Sequence, residues 1–154
     1  MRMALLFLVA LDAKNHILFA CGARPATCVI LNADDGKIVT TLPIGNGVDA
    51  GAFNPATNEA FVSTRDGKLT VIKKTDAKTF TVEQTVQTLP GAKTCTRDAK
   101  TGHILLITND PSVPVAAAPA TSPASPGAGQ GPRGRGGRGR AGTFSVIVAG
   151  KEPR

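Results

Sequence analysis

Apolar residues along the chain fall into short runs instead of a continuous helical stripe. The runs include "ALLFLVAL" (4–11), "NHILFAC" (15–21), "TCVILNA" (27–33), "KIVTTLPI" (37–44), "NEAFVST" (58–64), "KLTVIKK" (68–74), "TFTVEQTVQTL" (79–89), "GHILLIT" (102–108) and "TFSVIVAG" (143–150). They are rich in β-branched residues and bounded by Asp-Gly, Pro, Asn and Gly, the punctuation of strands joined by tight turns. No window sustains a 3.6-residue apolar period. The pattern predicts an all-β chain.

The runs also repeat. "NHILFAC" from Asn15, "NEAFVST" from Asn58 and "GHILLIT" from Gly102 align at intervals of 43 and 44 residues, and each follows a turn bearing Asp or Asn: "LDAK" (11–14), "FNPAT" (53–57) and "RDAKT" (97–101). A period of about 40–50 residues with about four short strands per unit is how propeller blades are built. The expected fold is therefore a partial β-propeller of four-stranded antiparallel blades, a single domain over 1–154 with blades at 4–45, 46–90 and 91–154. The last blade ends on "TFSVIVAG" with no fourth strand after it. "ALLFLVAL" stands where the other units have "GVDAGAF" and "AKTCTRD", so Met1 to Phe7 depart from the innermost-strand pattern.

Phe61-Val62-Ser63-Thr64 and Leu105-Leu106-Ile107-Thr108 resemble degenerate copies of the YVTN signature, and "NEAFVSTRDGKLTVI" is similar to that family's strand, Asp-Gly turn, strand pattern. The resemblance to the YVTN-repeat β-propeller family covers most of the chain outside 110–142. It implies a ring of about seven blades, roughly twice this length or more at ~43 residues each, of which the chain matches a C-terminal portion of about two and a half to three. It also implies a non-enzymatic recognition scaffold, often periplasmic or secreted. Lactonase-like and amine-dehydrogenase-like propellers are the alternative, with sites on blades outside this chain.

The stretch 110–142 interrupts the last unit where the preceding one has only Arg65-Asp66-Gly67. Its Pro, Ala, Ser, Gly and Arg cannot bury enough apolar area to offset chain entropy, so a disordered loop insertion is expected. Charge changes the picture only here. Of the net charge of +7, Arg133, Arg135, Arg138 and Arg140 supply four, leaving a mildly basic body. Two readings follow: a polyanion tether capable of weak, sequence-independent nucleic-acid binding, or a solvated loop that costs the fold little. The chain has no Tyr or Trp and six Phe, a poor supply for stacking bases. Strand order places Arg24, Arg65, Asp49, Lys93 and the insertion on one rim, the expected site for an unknown protein or polyanionic partner. A partial ring also leaves strand edges and end faces bare, so missing blades or self-association are expected to cover them.

Other chemistry finds little support. Cys21, Cys28 and Cys95 make neither a C-x-x-C pair nor an even set, so they read as small strand residues. His16 and His103 fall at matching positions in two repeats, read as strand starts, and lack an indicated nucleophile. "NADDGK" (32–37) begins like a calcium loop, but Gly36 takes a ligand position and no Glu follows at the required distance. No Gly-rich phosphate cradle opens a helix, and no cofactor is expected. The apolar segment 4–11 is short for a signal peptide, lacks an A-x-A site and cannot span a bilayer. "LFAC" (18–21) has the look of a lipobox, yet Asp12, Lys14, Asn15 and His16 interrupt the run before it, so a buried strand is the reading adopted.

Overall fold

Ile17, Phe19 and Cys21 are buried while Leu18 and Ala20 between them stay half-exposed, the period-two signature of a strand with one face on a core. A computed structural model describes residues 6–76, 78–110 and 143–150 of the chain, and side chains for slightly fewer at the segment ends. Its first sheet runs in order β1 (Leu6–Asp12), β2 (Ile17–Ala23), β3 (Ala26–Asn32) and β4 (Ile38–Pro43). The second repeats this order with β5 (Val48–Asn54), β6 (Glu59–Thr64), β7 (Lys68–Lys74) and β8 (Phe80–Gln87). The third holds β9 (Thr94–Arg97), β10 (Ile104–Asp110) and β11 (Thr143–Ala149). All pairings are antiparallel, and there is no helix among the described residues. No helix there is long and apolar enough to cross a membrane.

The sheets fan out from their first strands. β1 packs on β5 and β5 on β9, while the outer strands β4 and β8 barely meet. Gly51 makes the close approach possible: a β-carbon there would lie 2.6 Å from Leu8 Cδ2 and 2.6 Å from the Phe61 carbonyl oxygen. Two cores fill the fan. Phe19, Cys21, Cys28, Ile30, Val48, Val62, Ile72 and Phe80 join the first and second sheets, and Leu69, Ala92, Ile104 and Leu106 join the second and third. The middle sheet is covered on both faces, which is why burial along β6 and the middle of β7 is nearly continuous and does not alternate.

The three β1–β2-type turns revise the repeat register by one residue. Asp12, Asn54 and Asp98 open equivalent turns, each accepting a backbone N–H two or three residues on (Asn15, Ala56 and Lys100). The turns close on left-handed residues His16 (φ 53°), Asn58 (φ 56°) and Gly102 (φ 77°). His16 therefore corresponds to Asn58 and Gly102, and His103 to Glu59 and Ile17, so the two histidines are not equivalent. Asn and Gly are common in this conformation, and His is a less usual occupant. At the start of the chain β1 pairs with β2 from Leu6 onward, with an irregularity between Leu6 and Leu8; residues 1–5 lie outside the described residues.

Candidate functional site

Strand order brings the β2–β3 and β6–β7 turns and the links between sheets to one end of the fan. The 44–47 link lies on the β6–β7 turn, where Arg65 N–H donates to the Gly47 carbonyl (3.0 Å) and Asn46 N–H to Asp66 Oδ2 (3.0 Å). That turn lies in turn on the 88–93 link, where Gly91 N–H donates to the Arg65 carbonyl (3.1 Å) and Thr88 N–H to the Gly67 carbonyl (2.8 Å). The result is a ridge of interlocked turns. Burial works to raise the Asp66 carboxyl, but hydrogen bonds from Thr64 Oγ1 and Asn46 N–H and the Lys68 ammonium prevail and hold it below the ordinary value.

The sequence-predicted rim residues have different surroundings on this ridge. Arg24 and Arg65 stand exposed at the β2–β3 and β6–β7 turns with no ion pair among the described residues. Lys93 is engaged: its Nζ lies 3.7 Å from Asp49 Oδ1, and Thr94 Oγ1 donates to Asp49 Oδ2 (3.2 Å). The Ser63 hydroxyl donates to the Lys93 carbonyl, fixing that link to β6. Arg133, Arg135, Arg138, Arg140 and the expected 110–142 insertion beyond Asp110 lie outside the described residues.

A second feature was not apparent from the sequence. Between the outer strands of the second and third sheets opens a cleft of about 550 Å³, walled by Phe61, Leu69, Val71, Val86, Ile104 and Ile147 with Glu59, Gln84 and His103 at its margins. Its size falls in the range of small-molecule sites. The equivalent space between the first and second sheets is filled by Phe80, Val82, Val39 and Leu42. Among the described residues the third sheet has three strands, so β8 meets no fourth strand there as β4 meets β8. β8 shifts register between the partners of Ile72 and Val71, so Phe80 and Val82 face the first sheet while Gln84 and Val86 face the third. The buried Glu59 carboxylate in the cleft pairs with Lys73 Nζ at 3.2 Å, and the hydroxyls of Thr57 and Thr88 are buried there without a hydrogen-bond partner. Among the described residues no three His, Cys, Asp or Glu side chains converge as a metal site would require. The 32–37 segment is a turn, with Asp34 N–H on Asn32 Oδ1 and Lys37 N–H on Asp35 Oδ1.

Comparison with known proteins bears on the fold. The chain is similar to hydrazine synthase of Kuenenia stuttgartiensis (TM-score 0.59, 12% identity, 70% of this chain and 31% of that one). It is similar to Sqt1 of Saccharomyces cerevisiae (TM-score 0.62, 12% identity, 70% of this chain and 30% of that one). It is also similar to the β-propeller domain of Cps50 (Swd1) from Myceliophteria thermophila (TM-score 0.54, 14% identity, 67% of this chain and 36% of that one). The fold is a partial β-propeller. Its three sheets are blades, and the chain spans about a third of the length of these solved structures. No family model and no curated protein matches the sequence.

Proposed function

We propose that the chain is a segment of a non-enzymatic recognition scaffold of the YVTN-repeat type, whose two end blades take further blades on their bare faces. One observation carries this reading. On the face of the first blade turned away from the second, Val9, Leu11 and Ile38 are 51%, 50% and 67% exposed, and on the outer face of the third blade Ile107, Val146 and Val148 are 47%, 62% and 57% exposed. The register groups them: Leu11 neighbours Leu18 and Ile38 neighbours Leu31 on one face, while Val146 stands opposite Ile107 and Val148 opposite Leu105 on the other. Contiguous apolar faces of this kind mark interaction surfaces. The blade–blade packing inside the chain provides a template for covering them.

The isolated chain should therefore self-associate at low micromolar concentration, as light scattering would measure. Val146→Lys with Val148→Lys should weaken that association at least about tenfold, since each buried valine contributes on the order of 1.5 kcal/mol or more. A compact monomer with a cooperative melt from the unaltered chain would overturn the reading.

The two unpaired guanidinium groups on the ridge favour a second role for the same scaffold, contact with a polyanion. A single-stranded oligonucleotide held through Arg133, Arg135, Arg138 and Arg140 would show a log–log salt slope of about −2.8 and lose about fifty-fold in affinity between about 50 and 200 mM salt. Changing all four to Gln should abolish most of the binding. Equal binding by the variant would move attention to Arg24 and Arg65, and no binding by either chain at the lower salt would dismiss the role.

A further inference from the structure

Cys21 and Cys28 lie at equal distances on either side of the Arg24–Pro25 turn and are direct partners across β2 and β3. Their Sγ atoms are 2.8 Å apart, and both side chains are fully buried in the core between the first and second blades. Directly opposed residues of an antiparallel pair have Cα atoms about 4.5–5.5 Å apart, inside the span of about 4.4–6.8 Å that a disulfide bridges. Cys95 is remote from them, on β9 in the other core cluster. The sequence count of three cysteines hides this arrangement, which appears once the two-residue turn is placed.

We propose that Cys21 and Cys28 form a dithiol–disulfide site, oxidised in place by a small-molecule disulfide of the glutathione class. The thiolate of one cysteine attacks a sulfur of the oxidant and expels one thiolate, leaving a mixed disulfide. The second cysteine attacks the protein sulfur of that bond and expels the other thiolate. The chain gives up two protons and two electrons, and the oxidant leaves as two thiols. Nothing in the fold has to be rebuilt, because the register already sets the two sulfurs against each other. Access is the slow element: the hydrogen bond with Cys28 and burial both push the Cys21 thiol far above its ordinary value, so exchange proceeds through local opening of the β2–β3 hairpin. Once formed, the bond ties this hairpin together where the first blade packs on the second, making blade cohesion responsive to thiol–disulfide poise.

The test equilibrates the full chain with reduced and oxidised glutathione at graded ratios, then quenches in acid, unfolds, alkylates and maps the peptides by mass. The expected oxidised species is lighter by two hydrogens before alkylation, carries a Cys21–Cys28 link and has Cys95 alkylated. Repeating the titration in guanidinium should lower the formation constant on the order of a hundredfold, because the native fold and a short-loop crosslink stabilise each other by the same factor. A Cys95→Ala chain should show the same midpoint as the parent. The proposal is overturned if all three thiols are alkylated at every ratio, if the link involves Cys95 or a second chain, or if native and unfolded chains give equal constants.

Discussion

Replacing Phe19 by alanine is expected to lower the unfolding free energy by about 3–5 kcal/mol, the cost of deleting a large aromatic from a close-packed core. Phe19 is 1% exposed on β2 and joins three strands of two blades. Its ring stacks on Phe53 of β5 at 5.6 Å between centroids and meets Phe80 of β8 edge-on at 5.8 Å. The inner and outer parts of the first blade–blade interface therefore share one side chain. A loss of this size is a large share of the roughly 5–15 kcal/mol that separates folded from unfolded domains, so the variant should also show earlier proteolysis in the first blade. Denaturant titration against Thr41→Ala, at an exposed position on β4, provides the comparison. Equal midpoints for the two variants would show that this core does not hold the blades together.

The same interface shows what the sequence makes legible. Alternation along "ILFACGA" identifies β2 and its buried face, since Ile17, Phe19 and Cys21 fall on the odd positions. It fails on β7, where Thr70 and Ile72 face one blade and Leu69 and Val71 the other, so every position from Leu69 to Ile72 is buried. The repeat is visible through its Asp and Asn turns but aligns one residue out at His16, whose left-handed backbone is hidden behind a residue type that does not signal it. The ridge position of Arg24, Arg65 and Lys93 follows from strand order, whereas the pairing of Lys93 with Asp49 depends on how two blades meet. The cleft beside Gln84 depends on how a three-stranded third sheet meets the second, which the hydrophobic pattern of β8, a polar and exposed strand, does not mark.

The ion pair between Asp12 and Lys74 should give the largest polar effect among the described residues. Asp12 is buried and the Lys74 side chain nearly so, their charged atoms are 3.2 Å apart, and they connect the end of β1 to the end of β7 across the blade boundary. Lys74→Ala removes the cation and leaves the carboxylate in place, a change that costs about 3–5 kcal/mol at buried pairs. The pH dependence separates this cause from lost packing. Burial works to raise the Asp12 carboxyl, but the Asn15 side chain and then Lys74 outweigh it, so the net shift is downward from 3.8. A carboxyl depressed in the folded state contributes stability above its unfolded pKa and loses it as pH falls through the folded value. The gap between parent and Lys74→Ala should therefore be widest near neutrality, begin to shrink around pH 4 and close as pH falls through the depressed folded value, below which a protonated Asp12 makes no ion pair in either chain. Lys74→Met, which keeps an apolar stem, should retain most of the loss at neutral pH if charge is the cause. Melting curves of the three chains across that range decide the matter: a gap that stays constant with pH, or a Met variant as stable as the parent at neutrality, would assign the effect of Lys74 to packing and not to its charge.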